Sequence, residues 1–189
     1  MDPDRPAPGR LEFVRHVLNS DDRYHGLDHA HDVDELNRYL ARIQPRHSVA
    51  DQSDLSAYRV LRDTTRALLL TPGPEIFFTL NELARQHPLT VWFDELGAPG
   101  LRRVSGGEQD SPLGVLVVSV LAAVHDGMLT GHWARLRACR RFDCSWIYYD
   151  GSPNGSMRWC TTDPCGNVMK TRAYRARLAR NRPVKALAD

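Results

Sequence analysis

Cys139-Arg140-Arg141-Phe142-Asp143-Cys144 and Cys160-Thr161-Thr162-Asp163-Pro164-Cys165 decide the fold of the last third of this 189-residue chain. They form two C-x4-C pairs separated by 15 residues, and the chain has only these 4 cysteines. Zinc takes four soft ligands at the corners of a tetrahedron, and thiolates at about 2.3 Å satisfy it. Two close pairs on either side of a hairpin-sized insert are an economical way to bring four sulfurs together. Two disulfides are the alternative, but they need an oxidising compartment. The spacing therefore predicts one structural zinc on Cys139, Cys144, Cys160 and Cys165. With four thiolates bound, no coordination position remains to activate water.

The flanking residues predict how the zinc module is built. Arg135-Leu136-Arg137-Ala138 alternates as an entering strand does. Ser145-Trp146-Ile147-Tyr148-Tyr149 is aromatic and β-branched and runs into the turn Asp150-Gly151-Ser152-Pro153-Asn154-Gly155. Met157-Arg158-Trp159 reads as a return strand delivering Cys160. Asp163-Pro164 reads as a helix cap and first-turn proline, so that Cys165 opens a helix. A knuckle, a hairpin and a helix supplying the last ligand make a treble-clef-like unit.

That helix carries Lys170, Arg172, Arg175, Arg177 and Arg180, followed by Arg182 and Lys185, with no acidic residue between Lys170 and Arg182. Thr171, Tyr174 and Leu178 fall on one narrow stripe, predicted to dock on the zinc module and leave the cations for phosphates. Charge is divided along the chain. Residues 130–189 hold 12 Lys/Arg against 4 Asp/Glu, a net +8, while residues 1–129 hold 13 against 19, a net −6. An acidic body with a basic end points to nucleic-acid contact through the end alone. Arg158, Lys170, Arg172, Arg175, Arg177 and Arg180 are the candidate contact residues.

The stretch from Cys139 to Arg177 resembles the CGNR zinc-finger family, above all in Arg158-Trp159-Cys160 and Cys165-Gly166-Asn167-Val168-Met169-Lys170. The resemblance implies a finger that usually follows an N-terminal domain called ABATE. It also implies a stress-linked bacterial transcription regulator, with a body that senses a small molecule or stress signal. Val168 stands where the family name has arginine. In the body, Leu11-Glu12-Phe13-Val14 resembles the family's opening strand, although Arg15-His16 replaces the usual Asn-Thr. The expected organisation is a body over residues 1–132 and a finger with its basic helix over residues 133–189, the whole an α+β fold.

Read from its own residues, the body is mainly helical with one small hairpin. Val33, Leu36, Leu40 and Ile43 recur at helical spacing, as do Leu55, Tyr58, Leu61, Leu68 and Leu69 on the next segment. Ser53 is the expected cap of the second helix, and Thr71-Pro72-Gly73-Pro74 ends it. A shorter helix is expected over residues 77–86. Leu89, Val91 and Phe93 alternate and could pair with residues 101–104 across Gly97-Ala98-Pro99-Gly100. After the loop at residues 106–110, the apolar run 113–129 is expected to be a buried core helix, since a membrane span needs about 20 apolar residues.

His25, His29 and His31 could hold a second metal, but they sit in a polar loop before a helix capped by Asp32 or Asp34. Phe77, Phe78, Trp92 and Phe93 are expected in the core, and His16 as a satisfied core histidine. No phosphate-cradling glycine loop, serine elbow or spare nucleophilic cysteine is present, so an enzyme is not expected. Residues 1–10 carry no signal-peptide pattern, which predicts a cytoplasmic protein without membrane association. Besides DNA and an effector, a second copy is an expected partner, because one finger reads few base pairs. Two other functions stay open. One is an RNA-binding or ribosome-associated zinc protein in which Trp146, Tyr148 and Tyr149 stack on bases. The other is a small-molecule-binding protein whose zinc is purely structural.

Overall fold

The computed structural model describes residues 5–44, 47–104 and 111–180. The expected loop at 106–110 and the basic residues Arg182 and Lys185 lie outside the described residues. Among the described residues, five α-helices form the body: α1 (Leu11–Leu18), α2 (Val33–Ile43), α3 (Gln52–Leu70), α4 (Pro74–Gln86) and α5 (Pro112–Leu129). Three two-stranded antiparallel pairs accompany them. These are β1 (Asp21–Asp22) with β2 (Leu27–Asp28), β3 (Leu89–Phe93) with β4 (Pro99–Arg103), and β5 (Leu136–Ala138) with β6 (Ile147–Tyr149). The last helix is α6 (Asn167–Arg180).

Side-chain caps start three of the body helices. Asp32 accepts from Glu35 N at 2.7 Å to open α2, and Ser111 accepts from Gly114 N at 3.0 Å ahead of a first-turn proline in α5. The cap of α3 is Asp51, which accepts from both Ser53 N and Asp54 N, so the expected cap Ser53 lies inside the helix instead. Asp51 Oδ1, ahead of the helix, reaches two of its orphan amides, and it also accepts from the Ser53 hydroxyl. Pro74 starts α4 three residues ahead of the expected beginning.

The core gathers Leu11, Val14, Val17 and Leu18 of α1, Leu36 and Leu40 of α2, Leu55, Tyr58 and Leu61 of α3, and Leu116, Val117 and Val120 of α5. The opening segment is therefore a helix, and the expected strand at residues 11–14 is corrected. The apolar residues 11, 14, 17 and 18 recur at helical spacing and bury one face. Near its C-terminus α5 approaches α1 closely: a Cβ at Gly127 would lie 2.8 Å from the Leu11 side chain, so that position favours glycine. By length and composition α5 could cross a membrane, but 56% of it is buried inside the fold. Its low polarity serves the core.

The expected core aromatics do not reach it. Phe77, Phe78, Trp92 and Phe93 are 48%, 63%, 48% and 60% exposed. The β3–β4 hairpin has only two strands and one of its faces is open, so alternation there does not mean burial. Arg102 covers the Trp92 ring at 3.3 Å.

Body and zinc module share one strand. Along β6, Ile147 belongs to the body core, Tyr148 to the cysteine cluster, and Tyr149 packs against the body again. Period-2 alternation thus aims one strand into two cores. Burying Ile147 completely contributes roughly 1.5–3 kcal/mol. Polar bonds reinforce the joint. Asn19 donates to Ile147 O and accepts from Ile147 N, each at 2.8 Å, and Arg66 donates to Leu18 O at 2.6 Å and to Ser145 O at 3.1 Å.

Candidate metal centre and basic helix

Strand β5 delivers Cys139, whose N–H donates to Trp146 O at 2.8 Å, closing the β5–β6 pair over the first knuckle. Cys144 N–H donates to Arg141 O, and Ser145 follows with φ 54, a left-handed residue that turns the chain back into β6. The second pair sits on a separate tight segment. Gly166 N–H donates to Thr161 O at 3.1 Å, wrapping the backbone around Cys160 and Cys165.

Between the pairs, Asp150 holds the return path. It is fully buried and accepts from Ser152 N, Ser152 Oγ and Met157 N at 3.0, 2.6 and 2.9 Å. Burial alone raises its carboxyl pKa, but these hydrogen bonds and nearby Arg137 outweigh it and hold the group below the usual carboxylate range. Tyr148 Oη donates to Met157 O at 2.7 Å. Residues 157–159 are not a strand, as their sequence suggested. They meet the first knuckle through Arg140 N–H to Arg158 O, and the Asp150 and Tyr148 bonds replace a ladder.

The four sulfurs fit zinc. All four cysteines are buried and their Sγ atoms lie within 4.8 Å of one another. Cys144 and Cys160 are 3.8 Å apart, and Cys160 and Cys165 3.7 Å. A tetrahedron with zinc–sulfur bonds of about 2.3 Å needs sulfur separations of about 3.8 Å. A disulfide needs about 2.05 Å, and all four cysteines are free, so the disulfide alternative fails. Crowding couples the thiols. Hydrogen bonding among the neighbouring thiols lowers Cys139 and raises Cys144 and Cys160, so their protons are shared across the cluster. Four thiolates so close together need a cation between them. The cluster is a site for one structural zinc, with every ligand position taken by protein. Arg141 adds outer charge: it pairs with Asp143, lies over the Tyr24 ring at 4.5 Å, and sets Nη1 4.0 Å from Cys165 Sγ.

The second candidate metal group does not assemble. His25 Nδ1 bonds Asp22 at 2.7 Å, His29 Nδ1 bonds Glu35 at 2.7 Å and stacks on Tyr39, and His31 Nε2 meets Asp32 at 2.7 Å. Each imidazole has its own carboxylate, and among the described residues only the cysteines converge as a metal group. His16 is half-buried and pairs with Glu12 on the preceding turn of α1.

Cys165 lies in a single wide turn, Thr162–Gly166, and α6 starts two residues later at Asn167. Asp163 is extended, with φ −118 and ψ 127, and Asp163–Pro164 is a cis peptide, so this pair is neither cap nor first turn of α6. The expected docking stripe is also corrected. Tyr174 and Leu178 are 56% and 53% exposed, and α6 buries no residue; only Val168 and Met169, in its first turn, are half-buried. Two apolar side chains one turn apart are too little surface to hold a 14-residue helix down. Lys170, Arg172, Arg175, Arg177 and Arg180 are all exposed, and Arg172 lies over the Phe142 ring at 4.9 Å. Arg158 and Lys170, from different segments, line one cleft of about 420 Å³. Tyr148 is 3% exposed and Tyr149 is half-buried, which leaves the proposed base-stacking set without its tyrosines. Asp150 and Arg141 are site residues that residue pattern alone does not single out; an acid ending an aromatic strand before a dense turn is the available signal for the first.

These features define a four-thiolate structural zinc module carrying an exposed basic helix. Residues 135–178 match the family model of the CGNR zinc finger. The match begins at Arg135, inside the shared joint with the body, and ends at Leu178, within α6. Comparison of the chain with curated proteins gives no match.

Proposed function

We propose that the protein is a DNA-binding transcription regulator in which α6 lies along duplex DNA and the body senses a small molecule or stress signal. One observation carries the reading: α6 projects with five cations, no acidic residue and no buried side chain. An isolated helix of 14 residues is marginal in water, so a helix of this length with no packed face calls for a partner that contacts it. A polyanion supplies both the contact and the charge. The order of knuckle, hairpin, second knuckle and helix suits a treble-clef finger, which uses zinc to present such a helix.

The body, residues 1–132, is read as the ABATE domain that accompanies this finger. A cavity of about 710 Å³ between α1, α5 and β4 has the size of a small-molecule site and supports the sensing role. Its walls are apolar at Phe13, Val115 and Val118, with Arg10, Glu12, His16, His47, Arg102 and Arg103 among its polar groups. Catalysis is no part of this reading. Thiolates held on zinc call for a reducing compartment, the cytoplasm. A second copy brings a second α6, and the exposed hairpin aromatics offer apolar surface for pairing. Sedimentation of the zinc-loaded chain measures that association.

Fluorescence anisotropy with a random duplex across a salt series tests the main reading. Binding that weakens steeply with salt supports it; no binding at low salt defeats it. Single-stranded RNA outcompeting the duplex would favour the RNA-binding alternative, which retains the same cations but has lost its exposed tyrosines.

A further inference from the structure

The cleft that joins Arg158 to Lys170 contains an arrangement the basic helix does not explain. Its lining includes Ser152, Ser156, Trp159, Thr161 and Thr162 alongside the two cations, and no Asp or Glu. Two of these side chains present unused donors. Trp159 Nε1 and Thr161 Oγ1 are both buried and have no hydrogen-bond partner. A buried donor left unpaired costs about 1–3 kcal/mol, and a tryptophan N–H cannot act as an acceptor. Two such donors on residues that line one cleft, together with two cations and no carboxylate in that lining, match the chemistry of an oxyanion.

Resting on the reading of the finger as a nucleic-acid-binding module, we propose that this cleft is a phosphate socket. A backbone phosphate of DNA sits between Arg158 and Lys170, and its oxygens accept from Trp159 Nε1 and Thr161 Oγ1. The tetrathiolate zinc centre beside it, through Cys160, carries net negative charge. Arg141, with Nη1 4.0 Å from Cys165 Sγ, offsets part of that charge, which leaves Arg158 and Lys170 to the phosphate. The Trp159 ring itself is structural. It packs with the cysteine cluster, and a Cβ added at Gly166 would lie 3.6 Å from it. Only its N–H is assigned to the ligand. The socket fixes where the finger sits along a strand, because backbone contacts position a protein without reading sequence.

The test uses Trp159→Phe and Thr161→Val in the full, zinc-loaded chain. Thr161→Val keeps the shape of the side chain and deletes one donor, and Trp159→Phe deletes the other together with part of the ring. A donor with a structural partner would cost stability when removed; one waiting for a ligand would not. The expected result is thermal stability that does not fall in Thr161→Val and falls in Trp159→Phe only through the lost ring packing, with duplex affinity reduced about tenfold or more in both, the value of a hydrogen bond to a charged group. Inorganic phosphate titrated into the wild type should also shift the Trp159 indole N–H resonance, assigned by its absence in Trp159→Phe. Unchanged duplex affinity in both variants overturns the socket while leaving α6 as the DNA-binding element. If the wild type fails to bind duplex but phosphate shifts the indole resonance, the socket stands and the DNA reading fails. No shift and no affinity change removes it entirely.

Discussion

Asn19 and Ile147 exchange two hydrogen bonds across 128 residues of sequence, the amide of one answering both backbone groups of the other at 2.8 Å. Asn19 is 2% exposed, at the end of α1, and Ile147 is fully buried in β6. The asparagine acts as an extra strand edge, satisfying a backbone that would otherwise be orphaned at the joint.

Asn19→Ala should therefore destabilise the protein by about 2–4 kcal/mol, because it strands one buried donor and one buried acceptor. Urea unfolding followed by tryptophan fluorescence and zinc release together should show one coincident transition in the wild type. In the variant, zinc release should come first. A loss below about 0.5 kcal/mol, the scatter of ordinary surface substitutions, would show that water replaces the amide.

Chelation of zinc should dismantle the two knuckles at Cys139–Cys144 and Cys160–Cys165 and loosen the joint at Ile147, while the body keeps its helices. The cysteine cluster has little apolar support beyond Tyr148, Trp146, Met157 and Trp159, so metal binding is most of its folding energy. Circular dichroism should lose helix equivalent to α6, a metal-sensitive dye should report one zinc per chain, and duplex binding should vanish. Cys160→Ser should reproduce the apo state.

Neutralising Arg172 and Arg175 to glutamine should leave the unfolding midpoint unchanged, since both are exposed on a helix with no packed face. Duplex affinity should fall, and the slope of log affinity against log salt should flatten by roughly 0.9 for each phosphate that is no longer neutralised. Removing both together tests additivity along one face of α6.

His47 should make the body sensitive to mild acid. Its Nε2 lies 2.9 Å from Ser119 Oγ, which in turn donates to Val115 O at 2.8 Å, so the imidazole must carry its proton on Nε2. Burial holds its pKa below the ordinary 6.5. The unfolded chain thus takes up a proton before the folded one does. The stability from neutral His47 is fully present above the ordinary value of 6.5 and is lost as pH falls from there through the folded value. His87, also lowered by burial, acts in the same sense. Denaturant midpoints measured from about pH 8 to about 5.5 should fall with acid, and His47→Gln should flatten that dependence.

Much of this is legible in the sequence because it is local. The helical spacing of Leu36 and Leu40, or of Leu55, Tyr58 and Leu61, is a property of a few turns, and the zinc site follows from cysteine spacing. Alternation locates β3 and β4. What escapes depends on neighbours distant in sequence. Leu11-Glu12-Phe13-Val14 is ambiguous over four residues and becomes helical only when Val17 and Leu18 are included. Phe77 and Phe93 are apolar enough for a core but remain about half exposed. The bare donors of Trp159 and Thr161 exist only because the chain folds back around Cys160, and no pattern of residue types records an unused hydrogen bond.

The two-sided burial of β6 has a practical consequence for anyone wishing to borrow this finger. The family match covers 135–178, but a peptide cut there would expose Leu136 and Ile147 to water and leave Asn19 behind. Such an excised piece should be sticky and poorly ordered even when loaded with zinc. Here the finger is a graft that has grown into its stock: transplanting it calls for α1 and the Arg66 stretch of α3 as well, or for polar replacements at the two positions that the body now covers.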